Sequence, residues 1–419
     1  MKTSLAALSP VAAAVLPATV VAAKNREELF SPGKGAPALK ITGIDVHVVQ
    51  VNQRGNWVLI ELKTNKGLTG LGEASQGSAG TSAEGQAAIR SELAAFFELV
   101  RDQSPFDIEK YRQKGWHRAR ASRLAHTAFS GIEQALWDLK GKALGVPVYQ
   151  LLGGKVRDSI RTYANINRAT NVKDANGRRP VAAFRENAEK AVQRGFRAIK
   201  MAPFDEMKAL DQSEESRVQA DIDHALSCIE GVRQTIGEGV ELLVDVHSHL
   251  DQPLGMETAR RVAPYRLFWL EEPVNPEKFV AVTRAIKEVG GQPLAGGESI
   301  FGREGFAPLV QAGALDIVMP DVKHCGGILE LTYIAALAGT AGLQVAPHNP
   351  SGPVATAASA AVCAGLSNFS ILEYAFGEVP WSPELVLPFE QFVNGEIPVS
   401  DLPGLGIELN RQVLKKHVL

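Results

Sequence analysis

The sequence predicts an α/β protein whose larger part is a closed barrel of parallel strands and helices. Three observations carry this expectation. From residue 161 onward, short apolar segments alternate with amphipathic stretches: "RTYAN", "FRAIKM", "ELLVDV", "LFWLEE", "PLAGGES", "LDIVMPD", "LQVAPH" and "FSILEY". Alternation of β and α segments argues for a parallel sheet, and eight units argue for a (β/α)8 barrel. An earlier region rich in Val, Ile and Leu has Gly-bearing turns and reads as an antiparallel meander. Finally, ionisable residues sit at the C-terminal end of strand after strand, where a barrel keeps its chemistry.

The elements follow in order. "MKTSLAALSPVAAAVLPATVVAAK" carries no charge between Lys2 and Lys24, and Val21 and Ala23 suit signal-peptidase cleavage. Residues 1–23 are therefore expected to be an export leader, and Pro10 and Pro17 argue against a membrane-spanning helix. Residues 25–39 read as linker, completing a leader-and-linker region of 1–39. A first domain of 40–160 opens with the strands "KITGIDVHVVQV" and "NWVLIELKTNKGLTGLGEAS". Helices are expected over 82–100, 107–112 and 122–144. The last has Leu124, Ala128, Ile132, Ala135, Leu136 and Leu139 at helical spacing, and Gly145 and Pro147 end it. The barrel is expected over 161–375, followed by a C-terminal segment, 376–419.

Composition narrows the function. Of 419 residues, 45% are hydrophobic and 21% charged, an ordinary globular balance. Lys and Arg number 44 against 46 Asp and Glu, for a formal net charge of −2. Neither that balance nor any basic run points to nucleic acid. Cys228, Cys325 and Cys363 are too scattered for a disulfide framework or a zinc knuckle and read as buried spectator thiols.

The strand ends carry Lys200, Asp245, Glu271, Glu298, Asp321, His348 and Glu373, and from Asp245 onward the spacing is roughly 25 residues, one βα unit. Asp245, Glu271 and Glu298 come from three adjacent strands. Three carboxylates in a partly dehydrated mouth repel, so at least one should resist ionisation. A hard divalent cation removes that conflict, and oxygen ligands on rigid strands suit Mg2+. Such an ion would hold a substrate carboxylate and stabilise the enediolate left when an α-proton is removed. His348 follows Asp321 by one unit, so the two should meet, with the carboxylate orienting a general base. Lys200 is expected to pair with a substrate carboxylate or share in proton transfer, with a structural salt bridge as its plainer role. Glu373 is expected to hydrogen-bond the enediolate, provided it carries or shares a proton. In "LLVDVHSHL", strand alternation would put Asp245 and His247 on one face. The acidic stretch beginning "APFDEM" after Lys200 reads as solvated surface.

The whole set resembles the enolase superfamily, in its mandelate racemase and sugar-acid dehydratase branch. The residues that carry the resemblance are "AFSGIEQALWDLKGKALGVPVYQLLG", then "LVDVH", "WLEEP", "GGES", "MPDVKHCGG", "APHNPSGP" and "LEY" in that order. The resemblance implies an α+β capping domain completed by the C-terminal tail, a (β/α)7β TIM-like barrel and Mg2+. It makes Glu271 the ligand of "LEEP", with Glu272 its neighbour. Racemases of the branch carry a second lysine two residues after the first; here that position is Ala202, which argues against a two-base racemase. Galactonate- and mannonate-type dehydratases carry a His two residues after the first metal Asp, and His247 matches it. The implied reaction is loss of water from a sugar acid, with His348 as base and His247 as acid, or the reverse for the other stereochemistry. An epimerase or lactone cycloisomerase acting through the same enediolate is the alternative. Substrate contacts are expected from 51–57, from 115–123, from Asn165 and Arg168, and from Trp381. The resemblance also implies a homo-oligomer, a dimer or octamer.

Overall fold

The structure is a computed structural model that describes residues 39–52, 55–76 and 81–419. The expected leader and most of the linker lie outside the described residues, as do residues 53 and 54 of the expected substrate loop. Among the described residues, no helix is long and apolar enough to cross a membrane.

Three antiparallel strands, β1 (Ile41–Asn52), β2 (Gly55–Thr64) and β3 (Thr69–Glu73), form the expected meander. Gly67 makes the turn between β2 and β3 at φ 77°, a left-handed conformation that costs a residue without a side chain little. Helix α3 (Arg123–Leu144) packs on β2 and β3, and helices α1 (Ala83–Phe97) and α2 (Ile108–Ala119) pack against it. The second helix runs seven residues past the predicted end at Arg112 because Tyr111, Gly115 and Ala119 continue its buried stripe. α3 begins where Ser122 accepts a hydrogen bond from Ala125 N and stops at Gly145, left-handed at φ 69°. It lies so close to β3 that a Cβ on Gly72 would stand 2.0 Å from Gly131 O.

The barrel contains all eight expected strands: β4 (Ser159–Asn165), β5 (Ala198–Met201), β6 (Glu241–Asp245), β7 (Trp269–Glu271), β8 (Leu294–Gly296), β9 (Ile317–Val318), β10 (Gln344–Val345) and β11 (Leu372–Tyr374). They pair in parallel in sequence order, with β11 returning to β4. The ring closes where Val345 N donates to Asn368 O and Ser370 N donates to Val345 O. Helices of ten residues or more separate each successive pair, from Val181–Gln193 to Pro353–Cys363, and the chain ends the barrel on a strand. This is a (β/α)7β barrel. Its interior is filled by Tyr163, Ala198, Leu243, Trp269, Ala295, Ile317, Met319, Ala346 and Ile371, so the centre is packed and not a pore.

Two buried carboxylates fasten the first region over the barrel. Glu73 accepts hydrogen bonds from Gly352 N and Ala355 N at the start of the helix Pro353–Cys363, and Glu133 accepts from Ile328 N and Leu329 N at the start of Ile328–Thr340. Helix N-termini present unpaired N–H groups and partial positive charge, so each carboxylate is held where it is most useful. The C-terminal segment lies against the meander: Leu419 N donates to Val48 O, and Arg411 grips Glu61 with two hydrogen bonds.

That last contact gives a pH-dependent prediction. Burial pushes the Glu61 carboxyl up, but hydrogen bonds from His47 and Arg411 outweigh it and hold it at about 2, against an ordinary 4.5. A carboxyl depressed in the fold adds stability above its unfolded value and loses it as pH falls through the folded one. Glu61 should therefore contribute roughly 1–2 kcal/mol after solvent screening at this rim position. In urea unfolding, the gap between wild type and Glu61→Gln should shrink from pH 4.5 down to about 2; a constant gap would contradict the assignment.

Candidate active site

The site is laid out by strand alternation. Ala198, Leu243, Trp269, Met319, Ala346 and Ile371 fill the barrel interior, and two residues after each stands Lys200, Asp245, Glu271, Asp321, His348 or Glu373. A period of two keeps a residue and its second neighbour on the same face of a strand. Lys200, Asp245, Glu271 and Glu373 stand within or at the end of their strands, whereas Asp321 and His348 follow the ends of β9 and β10. Sheet register places Asp245 beside Glu271. Glu298 is out of this phase, three residues beyond Ala295, and the turn that brings it in passes through Gly297 at φ 109°.

Lys200 stands at the centre, with its Nζ 2.9 Å from Glu271 Oε1, 3.1 Å from Glu373 Oε1 and 3.3 Å from Asp245 Oδ2. Only 1% of its side chain is exposed, so it serves as the local cation for three buried carboxylates. These do not ionise alike. Burial and the Asp245 charge push Glu271 well above the carboxylate range despite Lys200. Asp245 and Glu373 are held down: burial opposes them, but His247 and Lys200 outweigh it for Asp245, and Lys200 and His348 for Glu373. Repulsion among the three is thus relieved by one of them, Glu271, resisting ionisation. Glu373 is an acceptor here, taking hydrogen bonds from Asn165 Nδ2 (2.6 Å) and Asn349 N (3.0 Å).

His348 Nδ1 lies 2.8 Å from Asp321 Oδ2, and its Nε2 lies 2.8 Å from Glu298 Oε2. Burial alone would lower the ring, yet Glu298, Glu373 and Asp321 raise it to about 10. Asp321 also receives Lys323, whose Nζ reaches the same oxygen at 2.7 Å. Its carboxyl is held far below the usual range, burial being outweighed by Lys323, His324 and His348.

His247 reaches the site by a different route from the one expected. β6 ends at Asp245, so strand alternation does not carry as far as residue 247. Instead His247 and Ser248 turn back at φ 49° and 60°. His247 N donates to Asp245 Oδ1, while the ring Nε2 lies 3.0 Å from Asp245 Oδ2 and Nδ1 lies 2.6 Å from Asp205 Oδ1. With 37% of its side chain exposed, His247 faces the mouth.

Asp245, His247 and Glu298 offer ligand atoms within 4.8 Å of one another. Asp245 Oδ2 and Glu298 Oε2 are shut off from solvent without a directed hydrogen bond, although an imidazole nitrogen stands close to each. Two buried carboxylate oxygens that face cationic side chains, with a third carboxylate in register with Asp245, are a donor set that suits a divalent cation. Glu271 is turned from that cluster toward Lys200 and Trp269, whose Nε1 donates to Glu271 Oε2.

Three residues escaped sequence reasoning. Glu272 accepts from Gly297 N and from Ser248 Oγ, bracing the two turns that carry Glu298 and His247. Burial and neighbouring Glu298 push its carboxyl up to about 7. Lys323 shares Asp321 with His348. Asp205 lies in the stretch read as solvated surface, yet it meets His247; the loop after β5 folds inward because buried Arg179 binds Ala202 O, Asp205 and Glu206. Of the expected substrate residues, Asn165 is buried against Glu373, and Arg168 binds Pro350 O and pairs with Glu378. Trp381 packs edge-on to Trp57 and stacks on His417.

Comparison with known proteins gives the family of the chain. Residues 39–153 match the family "Mandelate racemase / muconate lactonizing enzyme, N-terminal domain", and residues 183–413 match "Enolase C-terminal domain-like". A D-xylonate dehydratase from Haloferax volcanii is 32% identical over 94% of this chain and 92% of its own length. A D-galactonate dehydratase from Xanthomonas campestris is 34% identical over 86% of this chain and 90% of its own. Among solved structures, a mandelate racemase/muconate lactonizing enzyme-like protein from Rubrobacter xylanophilus superposes with a TM-score of 0.81 at 32% identity, covering 91% of this chain and 98% of that one. A mandelate racemase/muconate lactonizing enzyme from Jannaschia sp. gives 0.79 at 29% identity, covering 91% and 98%.

Proposed function

Because the chain belongs to the mandelate racemase / muconate lactonizing enzyme family of the enolase superfamily, we propose that it is a Mg2+-dependent dehydratase of a sugar acid, an aldonate or aldarate. The observation that carries this reading is a pair of imidazoles that approach one carboxylate, Glu298, from different barrel strands. His247 follows the third barrel strand and His348 the seventh, and both approach Glu298. Elimination needs a base at one carbon and an acid at its neighbour, which two such groups supply. The names of the xylonate and galactonate relatives support a sugar acid as the substrate.

Asp245 and Glu298, with Glu271 as third carboxylate, are the residues to hold the cation. Bound there, Mg2+ supplies positive charge to the substrate carboxylate and the enediolate, and offsets the Glu298 charge that His348 otherwise feels. The remaining work belongs to the chain. His348, its Nδ1 donating to Asp321, takes at Nε2 the proton next to the substrate carboxylate. Lys200 balances the negative charge that develops above it. His247 Nε2 gives a proton to the 3-hydroxyl, which leaves as water as the electron pair of the broken C2–H bond ends in a C2=C3 double bond. The enol takes a proton at C3 and becomes a 2-keto-3-deoxy acid. Substrates of opposite configuration exchange the roles of the two rings. Ala202, buried two residues after Lys200, leaves that position without a base and disfavours the epimerase alternative.

The test is His247→Asn. Formation of the keto acid should fall by about 10²–10⁴, while deuterium from solvent still enters the α-carbon. Undiminished dehydration would remove His247 from the acid role.

A further inference from the structure

The base His348 has its partner in Asp321, and the geometry points to a second, separate pairing on the other side of the mouth. We infer that Asp205 is the positioning residue for His247, holding the ring so that Nε2 faces the leaving hydroxyl. This inference rests on the dehydratase reading and adds to it a residue outside the strand-end set.

Three observations carry it. His247 sits on a left-handed turn beyond the end of β6, and the strand meets its ring at Nε2 through Asp245. The contact that does so at the far nitrogen is Asp205 Oδ1, 2.6 Å from Nδ1. Asp205 is itself locked, since Arg179 Nη2 donates to its other oxygen at 3.0 Å. Arg179 has no exposed side-chain surface, and its remaining hydrogen bonds go to Ala202 O, Glu206 Oε1 and Asn167 Oδ1. A guanidinium can only donate, so it commits Oδ2 of Asp205 and leaves Oδ1 to accept from the imidazole. The result is a chain from a buried cation through a carboxylate to the ring, the support that a histidine on a turn needs to hold one orientation.

Asp205→Asn tests it with little change of shape. The single amide oxygen goes to Arg179, and the amide N–H2 then faces Nδ1–H, which turns the ring away. Dehydration kcat should fall roughly tenfold to a hundredfold with KM nearly unchanged. Deuterium exchange at the α-carbon should stay within about threefold of wild type, because the base is untouched. A 3-deoxy-3-fluoro analogue sharpens the test, since fluoride departs without a proton. With it, the variant should eliminate within about threefold of wild type. If dehydration, exchange and fluoride loss all fall together, Asp205 only supports the fold and the inference is wrong. If dehydration is unchanged, it is wrong as well. A wild-type protein that makes no keto acid from any sugar acid would instead overturn the dehydratase reading, and this inference with it.

Discussion

Lys200→Met should abolish turnover and destabilise the protein at the same time. The side chain is buried and its Nζ lies 2.9, 3.1 and 3.3 Å from Glu271, Glu373 and Asp245. Methionine matches its length but removes the cation, leaving three carboxylates in a dry pocket. Removing one partner of a buried ion pair costs about 3–5 kcal/mol, and lost stabilisation of developing charge costs about 10²–10³ in kcat or more. The stability defect should have two signatures. It should shrink as pH falls, because carboxyls without the lysine take up protons more readily in the fold. It should also shrink when millimolar Mg2+ replaces the missing charge. Urea unfolding with and without Mg2+ reads both. A variant of wild-type stability that ignores Mg2+ would show that Lys200 does not hold the carboxylates together.

His348→Asn should have an equally large effect of a different kind. The ring is fixed between Asp321 and Glu298, and no other imidazole reaches Asp321 within hydrogen-bonding distance among the described residues. If His348 is the base, its loss should remove dehydration and α-proton exchange together, each by about 10²–10⁴. This contrasts with His247→Asn, which should separate the two. Exchange measured by NMR in deuterated buffer distinguishes them. Exchange surviving in His348→Asn but lost in His247→Asn would reverse the two roles, as a substrate of opposite configuration would.

Much of the site was legible because a barrel strand repeats every two residues. Ala198 with Lys200, Leu243 with Asp245, Trp269 with Glu271 and Ile371 with Glu373 each place one residue in the packed interior and the next in the mouth. Hydrophobic pattern alone carries that information. The turns were not legible. His247 and Glu298 arrive through left-handed backbone at His247, Ser248 and Gly297, and no periodicity extends through such residues. Asp205 was hidden for another reason: acidic residues in a long connection are usually solvated, and only the buried Arg179 pulls this one inward. Arg168, Asn165 and Trp381 form a further group. They were expected at the substrate, and in the structure they meet Glu378, Glu373 and Trp57.

Metal-dependent loss of water from a sugar acid is tested directly by one assay. The purified protein is incubated with C5 and C6 aldonic and aldaric acids, with Mg2+ or with a chelator, and 2-keto-3-deoxy acid is measured. The keto acid should form from at least one of these acids, with Mg2+ and not with chelator. Bound Mg2+ with α-proton exchange but no keto acid on any acid would contradict it in favour of epimerisation, and bound Mg2+ with neither would contradict both.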